Sequence, residues 1–264
     1  MKCCSAQLAS CWENPEKTLK KAKLFIEKAA SLEVSIIVFP EQFATGWDPC
    51  SHKFIQNRSG SIVSTLKKYA KEYSIALLGS FREQHHPLPH NTAVVIDGEG
   101  SIKVVYAKMH PFTPAHEERR YSAGDNIAIF NIDKMKFGIA ICYDLRFPSL
   151  FQIYAKQGVH GVFIPAAWPA SRIEHWELFI KARAVENQMY IIGVNTVGKT
   201  PVDEYLGSSM TVDPKGSVIA KAGEVEELLI SDLDANSVEN TRQNFPAHKD
   251  IRTDLYQKLH EKED

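Results

Sequence analysis

The 264-residue sequence has no uninterrupted apolar run approaching the ~20 residues that a helix needs to cross a bilayer. Its opening, MKCCSAQLASCWENP, lacks the continuous apolar stretch of a secretory signal. Cysteine is scarce and odd in number (Cys3, Cys4, Cys11, Cys50 and Cys142), and no C-x-x-C pair occurs. These features argue against a disulfide framework and a thiolate zinc site. There is no charge excess either: 31 Lys and Arg stand against 32 Asp and Glu, for a net −1. That balance supplies no general pull toward nucleic acid or an anionic membrane. No phosphate-cradling glycine loop or cofactor fingerprint is present, and the adjacent His85 and His86 cannot form an i, i+4 metal pair. What remains is an ordinary globular composition, 44% hydrophobic and 24% charged. The expectation is a reduced cytoplasmic protein with no metal and no cofactor.

Hydrophobic periodicity predicts alternating strands and helices. Lys2–Leu8 reads as a strand, followed by a helix capped by Asn14 with Pro15 at its first position. Leu19, Ala22, Ile26 and Ala29 give that helix one apolar face. Ser35–Phe39, Ile75–Gly79, Asn91–Ile96 and Ser101–Ala107 read as further strands, with a helix over Ile62–Tyr73. Asp97-Gly98-Glu99-Gly100 is a hairpin signal. The second half repeats the theme: strands at Ile127–Asn131, Phe137–Cys142, Val159–Ile164 and Tyr190–Asn195, and helices from Pro148 to Gly158 and over Ile173–Asn187. Short strands near Ser208–Val212, Ser217–Ala220 and Leu228–Asp232 precede a polar tail from about residue 236. With no low-complexity linker, residues 1–264 read as one α/β domain in two βαβ-rich halves, two sheets face to face with helices outside.

Three reactive side chains fall just beyond strands: Glu41 after SIIVFP, Lys108 after SIKVVYA and Cys142 after FGIAI. Ligand sites in open α/β sheets gather at such ends, and a base, a cation and a thiol together suit covalent catalysis. The turn Tyr143-Asp144-Leu145-Arg146-Phe147-Pro148 has the form of an elbow that exposes a nucleophile. Each residue also has an ordinary reading: Cys142 as core, Glu41 as a loop partner, Lys108 as a solvated strand end.

The ordered segments FPEQFATGW, YAKMHPF and GIAICYDLRFP resemble the three signature segments of the nitrilase superfamily of carbon–nitrogen hydrolases. HEERRYSAGD, IPAAWPASRIEHW, KARAVENQMYIIGVNTVG and YLGSSMTVDPKG extend the likeness to about Asp232. The resemblance implies an αββα sandwich of two mixed sheets with pseudo-twofold halves, stacked in homodimers or larger assemblies. It implies Glu41 as general base, Lys108 as electrostatic stabiliser and Cys142 as nucleophile, with base and ammonium favouring the thiolate. The Tyr143 N–H would join Lys108 as oxyanion donor. A second carboxylate maps to Glu117, with the adjacent Glu118 as runner-up if the loop shifts by one. Asp144 and Arg146 are read as holding the turn, and Arg183 with Glu186 as an internal helix pair.

The WPASR and KARAVENQMYIIGVNTVG segments look most like the omega-amidase branch, which hydrolyses the terminal amide of dicarboxylate monoamides, especially 2-oxo acids. A substrate carboxylate would need a cation, and Arg172 is the candidate. Phe43 and Trp168 are candidate pocket walls, and the helix Phe151–Gln157 and the tail are candidate subunit contacts. Alternatives are an N-carbamoyl hydrolase, a nitrilase, or a non-catalytic binding protein on the same fold.

Overall fold

The computed structural model describes residues 1–260. The chain runs β1 (Lys2–Gln7), α1 (Pro15–Ser31), β2 (Ile36–Val38), α2 (Ser61–Tyr73), β3 (Ala76–Glu83), β4 (His90–Ile96) and β5 (Ile102–Ala107). It continues through β6 (Ile129–Ile132), β7 (Met135–Ile139), α3 (Pro148–Lys156), β8 (Gly161–Ala166), α4 (Ile173–Asn187) and β9 (Tyr190–Asn195). The last elements are β10 (Val197–Lys199), β11 (Glu204–Leu206), β12 (Met210–Val212), β13 (Val218–Lys221), β14 (Glu227–Asp232), α5 (Ala235–Asn244) and α6 (Thr253–His260).

Two six-stranded mixed sheets result, in the orders β14-β1-β2-β3-β4-β5 and β13-β12-β9-β8-β7-β6. In the first, β1, β2 and β3 are parallel and the rest antiparallel; in the second, β7, β8 and β9 are parallel. The repeated pattern is the pseudo-twofold. The α/β class and the layering therefore match the sequence reading. One pairing lay beyond it: β14 returns from the far end of the chain to pair with β1, Lys2 opposite Asp232.

Strand alternation builds the layers. Ile36 and Val38 point into the core between the sheets, while Ile37 points outward with Leu19, Ala22 and Ile26 of α1 and Leu66 of α2. Each fully buried Ile, Val or Leu side chain among these contributes about 1.5–3 kcal/mol. The α1 start forms as its sequence predicts, with Asn14 Oδ1 accepting from the Lys17 N–H at 3.0 Å. On the far side, α3 lies close on β7 because Gly138 leaves room: a Cβ there would sit 2.6 Å from the Tyr154 ring. Tyr154 Oη then donates to the Ile139 carbonyl, fixing the strand end that leads to Cys142.

Several boundaries moved. β7 ends at Ile139, so Cys142 stands off the strand and opens a 3-10 turn, Cys142–Arg146. The hairpin β10–β11 was not foreseen, and the tail holds two helices where only polarity had been read. Residues 261–264 of that tail lie outside the described residues. Among the described residues, no helix is long and apolar enough to cross a membrane.

Candidate active site

Three chain segments meet where the sheets face each other. Glu41, just past β2, donates its N–H to the Ala166 carbonyl at the end of β8, 3.3 Å away. The Ala167 N–H returns a bond to Glu41 Oε2 at 3.2 Å, so the end of β8 in the second sheet holds this residue of the first. Lys108, just past β5, places Nζ 2.8 Å from Glu41 Oε1 and 2.8 Å from Glu117 Oε2. All three side chains are almost fully buried. The Glu117 carboxylate also receives the Phe112 N–H (2.6 Å), the Asn91 amide (3.1 Å) and the Trp47 indole (3.3 Å). Glu118 points away toward Arg119, 3.7 Å distant. Of the two adjacent carboxylates, the fold brings Glu117 to the ammonium.

Cys142 sits in the left-handed region at φ +46°, a backbone state that costs a non-glycine residue about 1–2 kcal/mol. Asp144 holds that bend. Its Oδ2 accepts from the Ile141 N–H and from Tyr106 Oη, both at 2.8 Å. Its Oδ1 accepts from the His110 N–H at 2.9 Å and lies 2.7 Å from His110 Nδ1. Tyr106 and His110 flank Lys108 in the chain, so one carboxylate ties the ammonium-bearing segment to the thiol-bearing elbow. Arg183 supports the same bend by donating to the carbonyls of Leu145 (3.1 Å) and Arg146 (3.3 Å), besides pairing with Glu186. The Tyr143 N–H lies in the first turn of the 3-10 helix, where no carbonyl one turn back is available.

The surroundings of each group shift its pKa in a definite direction. Burial opposes the Lys108 charge, but Glu117, Glu41 and Cys142 more than offset it and raise the ammonium pKa well above the usual range. Burial raises the Glu41 pKa; Lys108 offsets part of this and the Glu117 charge adds to it. At Glu117 burial is outweighed by Lys108 and the donors around it, and its pKa falls below the ordinary carboxylate value. Burial and then the Glu41 charge push the Cys142 thiol well up, against the pull of Lys108. Against the sequence-based expectation of a favoured thiolate, burial and the Glu41 charge outweigh the pull of Lys108 and shift the sulfur toward its thiol form. The site therefore suits proton removal during attack.

Cys142 and Lys108 line a cavity of ≈ 160 Å³ walled by Trp47, Phe112, Tyr143, Trp168 and Tyr205. Trp168 and Arg172 reach it; Phe43 does not. Phe43 is fully buried on the outer face of the first sheet, stacked on Phe39 at 4.5 Å, because the turn after Glu41 sends it toward α1 and α2. Trp47, four residues on, takes the wall position assigned to Phe43. It is carried by a loop whose carbonyls at Gly46 and Lys53 are gripped by buried Arg82. Asn91, bridging Glu41 (2.7 Å) and Glu117, was also missed. No short motif marks it, since its role follows from β4 standing beside β3 and β5. Arg146 lines the cavity as well, its guanidinium 4.9 Å from the Trp168 ring centroid. Arg172 stacks on Phe112 at 5.4 Å. Among the described residues neither guanidinium has a carboxylate within 4.0 Å, and Asp203 is the one acidic side chain in this wall.

Comparison with known proteins agrees with this architecture. The chain is 35% identical to a 2-oxoglutaramate amidase of Bacillus subtilis over 92% of its own length and 94% of that protein's. It is 34% identical to the omega-amidase NIT2 of mouse, covering 90% of each chain. A carbon–nitrogen hydrolase superfamily structure from Xanthomonas campestris superposes with a TM-score of 0.89 at 23% identity, over 96% of this chain and 97% of that one, a likeness of fold. The family described as carbon-nitrogen hydrolase matches residues 3–243, and the chain belongs to it.

Proposed function

We propose that this protein is an amidase that cleaves a small amide through a Cys142 thioester. The observation that carries the reading is a buried ammonium bonded to two carboxylates at 2.8 Å, on the floor of a cavity that also exposes Cys142. In the reaction, Cys142 Sγ attacks the amide carbon while Glu41 takes the thiol proton. The carbonyl oxygen becomes an oxyanion, met by Lys108 Nζ and the Tyr143 N–H; each preorganised donor is worth about 3 kcal/mol. The C–N bond then breaks, and Glu41 passes its proton to the departing ammonia. Water attacks the thioester, with Glu41 accepting its proton. As the acid leaves, the departing sulfur takes that proton back from Glu41 and is a thiol again. Glu117 holds Lys108 in place and balances its charge. Both sheets contribute, Glu41 and Lys108 from one and Cys142 from the other, so we treat the two halves as a single catalytic unit.

The preferred substrate in this reading is the omega-amide of a 2-oxo dicarboxylic acid. Support comes from relatives named for that activity and from the two arginines, Arg146 and Arg172, in a cavity wall that holds a single carboxylate, Asp203. Arg172 is the carboxylate clamp. An ammonia-release panel over 2-oxo omega-amides, glutamine, N-carbamoyl amines and nitriles tests this directly. The 2-oxo omega-amides are expected to lead, and Arg172→Ala to raise their KM about 10- to 100-fold, the loss of a charged hydrogen bond. Unchanged KM in that variant removes the clamp; carbon dioxide released with the ammonia assigns a carbamoyl substrate instead.

All five cysteines are free, which fits a reducing cytoplasmic setting. We further propose self-association through the outer helices. Ile153 of α3 (46% exposed) and Leu178 and Val185 of α4 (61% and 52%) leave apolar surface there. Sedimentation velocity at micromolar concentration should report a dimer or larger; a monomer removes this assignment.

A further inference from the structure

The two carboxylates around Lys108 present four oxygens, and the donors are not shared evenly among them. Each carboxylate oxygen has room for two hydrogen bonds. Glu117 Oε1 accepts from the Trp47 indole and the Asn91 amide, and its Oε2 from Lys108 Nζ and the Phe112 N–H. Glu41 Oε1 also accepts twice, from Lys108 Nζ at 2.8 Å and Asn91 Nδ2 at 2.7 Å. Glu41 Oε2 accepts from a single N–H among the described residues, that of Ala167 at 3.2 Å. The Ala167 N–H and the Glu41 carboxylate are both bonded to the Cys142 sulfur. The oxygen with room for a proton is therefore the one beside the thiol.

Asn91 creates this asymmetry. It is 1% exposed near the start of β4, its amide nitrogen donates to both Glu41 and Glu117, and its backbone carbonyl accepts the Lys108 N–H at 2.8 Å. Two neighbouring acceptors fix which way the amide faces, and its Oδ1 has no protein partner. The side chain thus bonds to the two carboxylates alone. Burial works toward protonating Glu41, Lys108 opposes this and the Glu117 charge adds to it. A donor to the ionised form works against protonation. The ionisable groups that act on Glu41 are Lys108, Glu117, Cys142 and Tyr205.

We propose that Asn91 is a positioning residue that keeps Glu41 ionised and closes its Oε1 to protons, so that every proton of the reaction passes through Oε2. The proposal rests on the thioester reading above. Oε2 takes the thiol proton as the S–C bond forms and gives it to the leaving nitrogen as the C–N bond breaks. It then takes a proton from water and returns it to the departing sulfur.

The test is the pH profile of kcat/KM for 2-oxosuccinamate in Asn91→Leu, a change of similar size that deletes the donor, against the wild-type chain. A hydrogen bond to a charged group corresponds to about one to two pKa units. The acid limb, where Glu41 takes up its proton, should move up by that much, and raising the pH should bring the variant back to within about tenfold of the wild type. A loss by one factor at every pH overturns the proposal, because Asn91 would then only support the fold. An unmoved or lowered limb overturns it too. If Asn91→Leu does not fold, Asn91→Asp reads the same property: its ionised carboxylate cannot donate and repels Glu41, so its limb should also lie above that of the wild type, and an unmoved limb there overturns the proposal. Cys142→Ala measured alongside separates the two readings. Turnover that survives in it removes the thioester, whereas its loss together with an unmoved limb in Asn91→Leu removes only the role of Asn91. If the wild-type protein leaves 2-oxosuccinamate intact, the omega-amide reading fails and the profile is taken on the panel's leading amide.

Discussion

Replacing Cys142 by alanine is expected to abolish ammonia release, by roughly 10⁴-fold or more, with the fold unchanged. The rate loss follows from covalent catalysis: without the sulfur no thioester forms, and water must attack the amide directly. The fold should persist because the elbow does not depend on the sulfur, whose hydrogen bonds are with Glu41 and the Ala167 N–H rather than within the turn. That bend is held by Asp144 and Arg183, whose bonds run to the backbone of Ile141, Leu145 and Arg146. Alanine meets the same penalty at φ +46° as cysteine does, so the strain does not change. Circular dichroism with chemical denaturation should place the variant within about 1 kcal/mol of the wild type. Turnover within tenfold of normal, in a folded variant, would remove Cys142 as nucleophile and the thioester with it.

Lys108→Met is expected to damage both activity and stability. Removing the ammonium takes away an oxyanion donor, worth about 10²- to 10³-fold in rate. It also leaves Glu41 and Glu117 buried together without the cation that bonds to both. Breaking a buried ion cluster on one side costs about 3–5 kcal/mol. The pH dependence gives this loss its signature. In the variant both carboxyls have folded-state pKa values above their unfolded ones, since burial and mutual repulsion disfavour charge. Groups raised in this way keep their stability below the unfolded pKa and lose it as the pH climbs through the folded one. The wild-type Glu117 is displaced in the opposite direction, and its contribution is lost as the pH falls. The gap between the two proteins should therefore be widest near neutrality and narrow toward about pH 4.5. Denaturation curves at several pH values measure it. A gap that does not vary with pH would show that the carboxylates do not depend on Lys108 for their charge.

The elements that were legible share a local cause. The α1 start was readable because Asn14 and Pro15 are its cap and first residue, and its buried face because Leu19, Ala22, Ile26 and Ala29 recur at helical spacing. The strands around the site were readable as β-branched runs. The α5 and α6 helices were not, because few of their side chains are buried and their polarity hides the periodicity. The hairpin β10–β11 consists of three-residue strands with little pattern to detect. Its absence from the sequence reading also concealed Tyr205.

Glu41, Lys108, Glu117 and Cys142 were nameable from ordered motifs, since each motif carries its reactive residue at a fixed offset from a strand. Which neighbours serve them was not nameable in the same way. Phe43 and Trp47 are both aromatic and both near Glu41, and only the direction of the turn puts one in the outer core and the other in the wall. The sequence by itself determined the layered α/β plan and the identity of the reactive groups, because periodicity and strand-end chemistry act over a few residues. Only the tertiary structure decided their electrostatics and company: the raised pKa of the thiol, the bridge of Asn91, the tie through Asp144 and the pair of arginines. Protonation and contact depend on distances and desolvation between segments more than a hundred residues apart, such as Glu41 and Ala167, and these exist once the two sheets have closed on each other.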